Sequence, residues 1–287
     1  MTHRPPIRAL FVLAALPLWA AGCQQPGEPL RPPLPPPVKG SAPLGPRSRT
    51  DANEATRKLL VVRLRLVTVQ LPIGSVSDSE ELWNYLDEEP VGARIGSGLA
   101  YNGFRAGLGQ DSAWPDIAKI LRQLTGQPLT RSHMLAQIGQ PLAIVLKPGQ
   151  DAQTIFTFRP DRTLYGQDYP PGDNVLTLTA GVDLDKPSDV HLMCAPLIRS
   201  TRRRPRYVKE PGGYLLSAEA TYYPLEELEF QFKVPAGGFI LIGPGRGLKR
   251  PSSPGYHFLV REKNGAKFET ILVIAPEVFY APVRESE

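Results

Sequence analysis

Cysteine is scarce in this sequence, with 2 in 287 residues. That excludes a disulfide-dense scaffold and a zinc site built from four cysteines. Histidine is almost as rare: the 4 residues His3, His133, His191 and His257 are far apart. No multi-histidine metal centre is spelled out by them. Long hydrophobic runs are missing too. The N-terminal run Leu10–Leu16 stops at Pro17 and is too short to span a bilayer permanently. Charge of one sign is modest, with 33 Lys+Arg against 28 Asp+Glu and a net charge of +5. That balance does not point to nucleic acid as a partner. Apolar residues at 41% and charged residues at 21% suit a chain with a sizeable core. Proline is the residue in excess, at 32.

Residues 1–22 read as a secretory signal. His3, Arg4 and Arg8 give a basic start, and Ala20-Ala21-Gly22 place small residues just before Cys23. This arrangement resembles the lipobox of bacterial lipoproteins, with Ala20 where that family usually carries leucine. The resemblance implies that Cys23 is lipidated and becomes the N-terminus; ordinary cleavage nearby would leave it a free thiol. Gln24 lacks the aspartate that implies inner-membrane retention. The expected place is therefore the periplasmic side of the outer membrane. Loss of Arg4 and Arg8 with the signal leaves a mild +3. Residues 23–57 follow as a spacer, with nine prolines between 24 and 57 and no apolar periodicity. Proline fixes φ and offers no amide donor, so the stretch is expected to be extended, reaching about 100 Å at full length. A ligand for a proline-binding groove is the alternative reading.

The body is expected to be α+β: a small α+β unit over 58–152, then a mainly antiparallel sheet or sandwich over 153–283. Leu60, Val62, Leu64 and Leu66 alternate on one strand face, and Val67, Val69 and Leu71 then take the other. A slip of one residue predicts a bulge. Ser77 or Asp78 followed by Glu80 and Glu81 predicts a helix that buries Leu82, Trp83 and Leu86. A short helix is expected over Val91–Tyr101, and another from Pro115 to its cap at Gly126. After Thr154 the pattern predicts strands and no helix. Asn264-Gly265 marks a hairpin.

Signals for catalysis are weak. There is no Gly-x-Ser-x-Gly elbow. Gly243-Pro244-Gly245-Arg246-Gly247 lacks the ending of a phosphate-binding loop and reads as a surface turn. Asp87-Glu88-Glu89 reads as a solvated helix end. Cys194 lies in an apolar run and reads as a buried hydrophobe. No carboxylate pair is assigned, so a glycosidase has no support. No catalytic residue, metal or cofactor is expected. The one charge cluster is Arg199, Arg202, Arg203, Arg204 and Arg206. It reads either as a solvated hairpin loop or as an anion contact, for lipid phosphate, cell-wall carboxylate or an acidic protein.

Two further resemblances appear. Val234-Pro235-Ala236-Gly237-Gly238, Phe239–Gly243 and Glu269–Val278 look like the closing part of the secretin core. Val175–Ile198 is similar to the strands that open it. The likeness implies a secretin-like β domain, although the sequence shows no gate motif and no room for long amphipathic hairpins. Glu81-Leu82-Trp83, Leu86-Asp87-Glu88-Glu89 and Asn102-Gly103-Phe104-Arg105 are similar to uncharacterised lipoproteins of planctomycete-type bacteria, which implies no activity. Taken together, the expectation is a non-enzymatic envelope lipoprotein with a structural or adaptor role. Its partners would be the membrane, through its anchor, and envelope proteins or cell wall. An envelope ligand-binding protein or hydrolase and a secretin-type pore subunit are the alternatives.

Overall fold

The computed structural model describes residues 58–183, 185–211 and 213–282. The expected signal, Cys23 and the proline-rich spacer lie outside the described residues. The elements in chain order are β1 (Lys58–Pro72), α1 (Ala93–Tyr101), β2 (Phe104–Gly109), α2 (Trp114–Thr125), β3 (Arg131–Gln137), β4 (Pro141–Gln150), β5 (Gln153–Phe158), β6 (Leu164–Tyr169) and β7 (Gly172–Val182). Then come β8 (Val190–Glu210), β9 (Gly213–Pro224), β10 (Phe230–Val234), β11 (Phe239–Pro244), α3 (Pro254–Leu259), β12 (Val260–Lys263) and β13 (Ala266–Pro282). The fold is α+β, with mostly antiparallel sheets and a few short helices.

One sheet runs β2-β11-β13-β1-β3, with β12 also on β13. A second runs β10-β8-β7-β4, with β9 on β8, and β5–β6 form a separate hairpin. Both large sheets take strands from either side of residue 152. β1 pairs β13, β2 pairs β11, and β4 pairs β7. The expected division at 152 is thus crossed in each sheet.

The pairing of β1 with β13 explains the double alternation read in the sequence. Their register is continuous from Lys58↔Pro282 to Pro72↔Phe268, without the expected bulge. The first sheet is instead buried on both faces, at different places along the strand. Val62, Leu64 and Leu66 join Ile240, Ile242, Leu272 and Ile274 and meet Leu176, Leu178, Leu192, Phe230 and Phe232 of the second sheet. Val67, Val69 and Leu71 join Leu241, Ile271 and Val273 on the opposite face, under Trp83, Ile117 and Leu121. A strand covered on one face at its start and on the other at its end shows an apparent slip with no extra residue. Each of these buried aliphatic side chains contributes about 1.5–3 kcal/mol relative to exposure.

Local signals hold where they are self-contained. Pro115 sits in the first turn of α2, and Gly126 ends it in the left-handed conformation at φ 64°, its amide donating to Arg122 O. Asn264 and Gly265 turn the β12–β13 hairpin, with φ 54° and 75°, the double positive φ of a two-residue turn. The helix expected from Ser77 is reduced to a 3₁₀ turn at Trp83–Tyr85. The amides of Gly74, Val76 and Ser77 donate to the buried Glu269 carboxylate, and Trp83 Nε1 donates to Val76 O at 3.3 Å. That segment is held by a tertiary acceptor and not by its own capping box. The expectation of no helix after Thr154 is corrected by α3, capped by Ser253 Oγ accepting from Tyr256 N, with Pro254 in its first turn.

Candidate functional site

Strand β8 is 21 residues long, and its two halves live in different surroundings. From Val190 to Ser200 it pairs with β7, and at Val190–Cys194 also with β10. Beyond Ser200 its partner is β9 alone, from Arg203↔Ala220 to Glu210↔Gly213, after an irregularity between Arg199 and Arg203. A bulge at such a point bends a strand out of its sheet. The base is fastened there. Arg199 Nη2 donates to Asp173 Oδ2 at 2.7 Å, and Gly149 N donates to Asp173 Oδ1 at 2.8 Å. These two contacts hold the Asp173 carboxyl below its usual range. Thr201 N and Oγ1 both donate to Pro171 O.

Past this base the hairpin presents both faces to solvent. Cross-strand partners share a face. Tyr207 and Leu216 are partners, as are Pro205 and Ala218, and Lys209 and Tyr214. Their face carries Tyr207 at 72% exposure, Tyr214 at 73% and Leu216 at 58%. On the other face Arg206 lies opposite Ser217, and Arg204 opposite Glu219. Arg206 Nη1 donates to Glu219 Oε2 at 3.2 Å. Arg202 and Arg203 are exposed and form no ion pair among the described residues.

The five predicted arginines therefore fall on one hairpin, but not as a loop and not as one set. Arg199 is a clamp at the base, Arg206 pairs with Glu219, and Arg202 and Arg203 have no ion pair among the described residues. Their segment is strand. The hairpin is longer than the sequence suggested, and both its faces are mixed: Arg203 and Lys209 share the tyrosine face, and Val208 and Leu215 share the face of Arg206. The aromatic face escaped the sequence reading. Its signal was Tyr207-Val208 and Tyr214-Leu215 placed symmetrically about Pro211-Gly212-Gly213.

The other candidates take structural places. Cys194 is fully buried, and burial pushes its thiol pKa far up. His133 is exposed on β3, and His191 Nε2 lies 3.7 Å from Asp183 Oδ2. His257 Nδ1 is 3.0 Å from Gln153 Oε1. Burial, with the nearby Lys147 charge, depresses the His257 pKa to about 4. Glu88 is held by Arg105, whose guanidinium also reaches Glu80 at 2.7 Å and stacks over Trp83 at 4.5 Å. Gly245 and Gly247 let their backbone approach Phe104 and Ala100, where a Cβ would sit 2.7 and 2.5 Å from carbonyl oxygens. That close packing accounts for the glycine-rich stretch. Among the described residues no group of three or more His, Cys, Asp or Glu could hold a metal, and no helix is long and apolar enough to cross a membrane.

The chain matches no family model and no curated protein. Two solved structures similar to it are secretin domains. The secretin-domain β-barrel of InvG from the Salmonella SPI-1 injectisome aligns over 80% of this chain and 64% of its own, at 10% identity and a TM-score of 0.19. The V. cholerae type IV competence pilus secretin PilQ aligns over 77% and 61%, at 13% identity and a TM-score of 0.22. The chain thus spans less than two thirds of either protein. Superposition this loose carries no argument about what the chain does.

Proposed function

We propose that this protein is a non-catalytic component of the bacterial cell envelope, anchored through Cys23 and its proline-rich spacer, that engages an anionic membrane surface with the β8–β9 hairpin. The observation that carries the reading is the hairpin itself: exposed Tyr207, Tyr214 and Leu216 share one face with Arg203 and Lys209. Tyrosine suits a boundary where one end of the side chain is apolar and the other wet. Arginine pairs with phosphate through two parallel N–H groups. Each basic residue near an anionic surface adds about 1 kcal/mol, and the attraction falls with salt.

The test is co-sedimentation of the full chain with vesicles of phosphatidylglycerol and phosphatidylcholine, with pure phosphatidylcholine vesicles and with cell-wall sacculi. Salt-sensitive binding to the anionic vesicles, lost when Arg202, Arg203, Arg204 and Arg206 become serine, supports the reading. Binding to sacculi alone, or unchanged binding of the variant, refutes it. Arg199 is left in place because it fastens the hairpin base.

A pore subunit is the second reading, favoured by one observation. β8 beyond Ser200 has no partner on the side away from β9, and β9 has its outer side free, among the described residues. Exposed edges invite strand addition between copies. A ring of defined mass in detergent, absent when Tyr214 and Leu216 become lysine, would replace the first reading with this one.

A further inference from the structure

The helix-side face of the first sheet has an uncovered end. There the surface opens into a cleft of about 220 Å³. Val67 on β1 lies opposite Val273 on β13 and makes the floor with the buried Phe239 of β11. The helix α2 covers the rest of this face with Ile117 and Leu121, and its first residue, Trp114, forms the wall. The Trp114 indole stands edge-on to Phe239, with centroids 5.6 Å apart. Gly109, on the neighbouring strand, leaves the space that the Phe239 ring fills.

Charge is distributed unevenly along this cleft. The strand order puts β3 at one end and β11 towards the other. At the β3 end the Arg131 guanidinium lies 6.0 Å from the centre of the Trp114 ring. Arg65 lies at the same end, and its Nε is 2.7 Å from Glu277 Oε1. Arg131 has no ion pair among the described residues. At the β11 end Asp111 packs beside Gly237 and is likewise unpaired among the described residues.

We propose that this cleft binds a small organic monocarboxylate with a flat apolar body, its carboxylate on Arg131 and its body against Trp114, over the floor of Val67 and Val273. An aromatic-lined recess with a few polar groups is the ordinary form of a small-molecule site. A guanidinium already beside an indole ring loses little freedom when it donates to a carboxylate. The cleft has the room of about seven waters, which suits a ring with a short acidic arm. Asp111 repels a second carboxylate at the far end and selects against dicarboxylates. The site is separate from the β8–β9 hairpin and does not rest on the proposed membrane contact.

Isothermal titration of the full chain with 3-phenylpropionate, its amide and phenylsuccinate tests this. The acid is expected to bind about tenfold or more tighter than the amide, a difference of about 1.4 kcal/mol. Arg131→Gln removes that preference, and Asp111→Asn brings phenylsuccinate up towards the monoacid. Circular dichroism of the variants reports whether they fold. If one does not, the acid-against-amide comparison on the unaltered protein decides. Absence of acid binding at millimolar concentration, equal binding of acid and amide, or an unchanged preference in the folded Arg131→Gln protein overturns the proposal.

Discussion

Asn102 pairs with Phe158 as a neighbouring strand would. Its Oδ1 accepts from Phe158 N at 2.7 Å and its Nδ2 donates to Phe158 O at 2.9 Å, while the same amide nitrogen donates to Gly98 O. Asn102 is fully buried. One side chain thus closes the end of α1 and satisfies both main-chain groups at the end of β5.

Replacing Asn102 with alanine leaves those groups without partners in the interior. An unmet buried donor or acceptor costs about 1–3 kcal/mol. Asn102→Ala is expected to destabilise by about 3 kcal/mol, and Asn102→Asp by at least as much, since its second oxygen would face the Gly98 and Phe158 carbonyls to which Nδ2 donates and would bury a charge. Urea unfolding curves give both values. A shift of under about 0.5 kcal/mol for alanine, the size of a neutral surface change, would show that the pairing contributes nothing.

Glu269 gathers three amides in the same way and fixes the segment after β1. Glu269→Ala should cost about 3 kcal/mol or more, and Glu269→Gln a part of that, because the amide oxygen still accepts but without charge. Proteolysis between Gly74 and Ser79 should rise first, before global unfolding, since the loss is local. Limited digestion followed by mass spectrometry locates the cut.

Stability should fall on acidification below about pH 6.5. The reason is His257, whose folded pKa of about 4 lies below the ordinary value near 6.5. Between the two the unfolded chain binds a proton that the folded chain refuses, so stability rises with pH across that window and is complete above it. The groups facing the imidazole are Lys147, whose charge opposes protonation, Gln153, whose Oε1 lies 3.0 Å from Nδ1, and the Thr154 main chain, whose hydrogen bond favours protonation. The full shift corresponds to about 3 kcal/mol, and partial solvent access reduces it to about 1–2. Depressed carboxyl values at Glu80, Asp173 and Glu277 act in the same direction but only below the carboxylate range. His257→Gln should flatten the slope between pH 4 and 6.5 and leave the lower limb intact. Melting temperature against pH, compared for the two proteins, reads this directly.

Two glycines should differ sharply on mutation. At Gly255 an added Cβ would meet the Gly103 carbonyl oxygen at 2.2 Å, which is backbone. At Gly109 it would meet the Phe239 ring, also at 2.2 Å, but as a side chain at a partly open cleft. Gly255→Ala is expected to cost about 3 kcal/mol or more and Gly109→Ala about 1–3, since the ring has space to turn. Equal losses in thermal unfolding would show that the Phe239 ring is as immovable as the main chain.

Much of the fold was legible where a signal lay within a few residues. Pro115 and Gly126 bracket α2, and Asn264-Gly265 turns β12 into β13, because dihedral preferences act on the residue itself. The Ser253-Pro254 start of α3 was equally local, but the apolar run Phe258-Leu259-Val260 after it reads as strand and hid it. The helix expected at Ser77 failed for the opposite reason. Its amides found an acceptor in Glu269, almost two hundred residues away, and no local rule weighs such a competitor. Of the hairpin, the arginines were visible and their setting was not. Nothing near Arg202 in the sequence tells whether β8 stops at Ile198 or runs on beyond its sheet.

The sequence alone determined the class of fold, the alternation in both halves of β1 and the turn at Asn264-Gly265, since composition, period and turn chemistry are properties of short stretches. Tertiary structure decided that β1 is covered on opposite faces at its two ends, that strands from before and after residue 152 share each sheet, and that Arg131, Trp114 and Phe239 meet in one cleft. Those facts depend on which strand lies beside which. Pairing energy is much the same for many partners, and the choice falls to the burial of whole faces, summed over residues far apart in the chain.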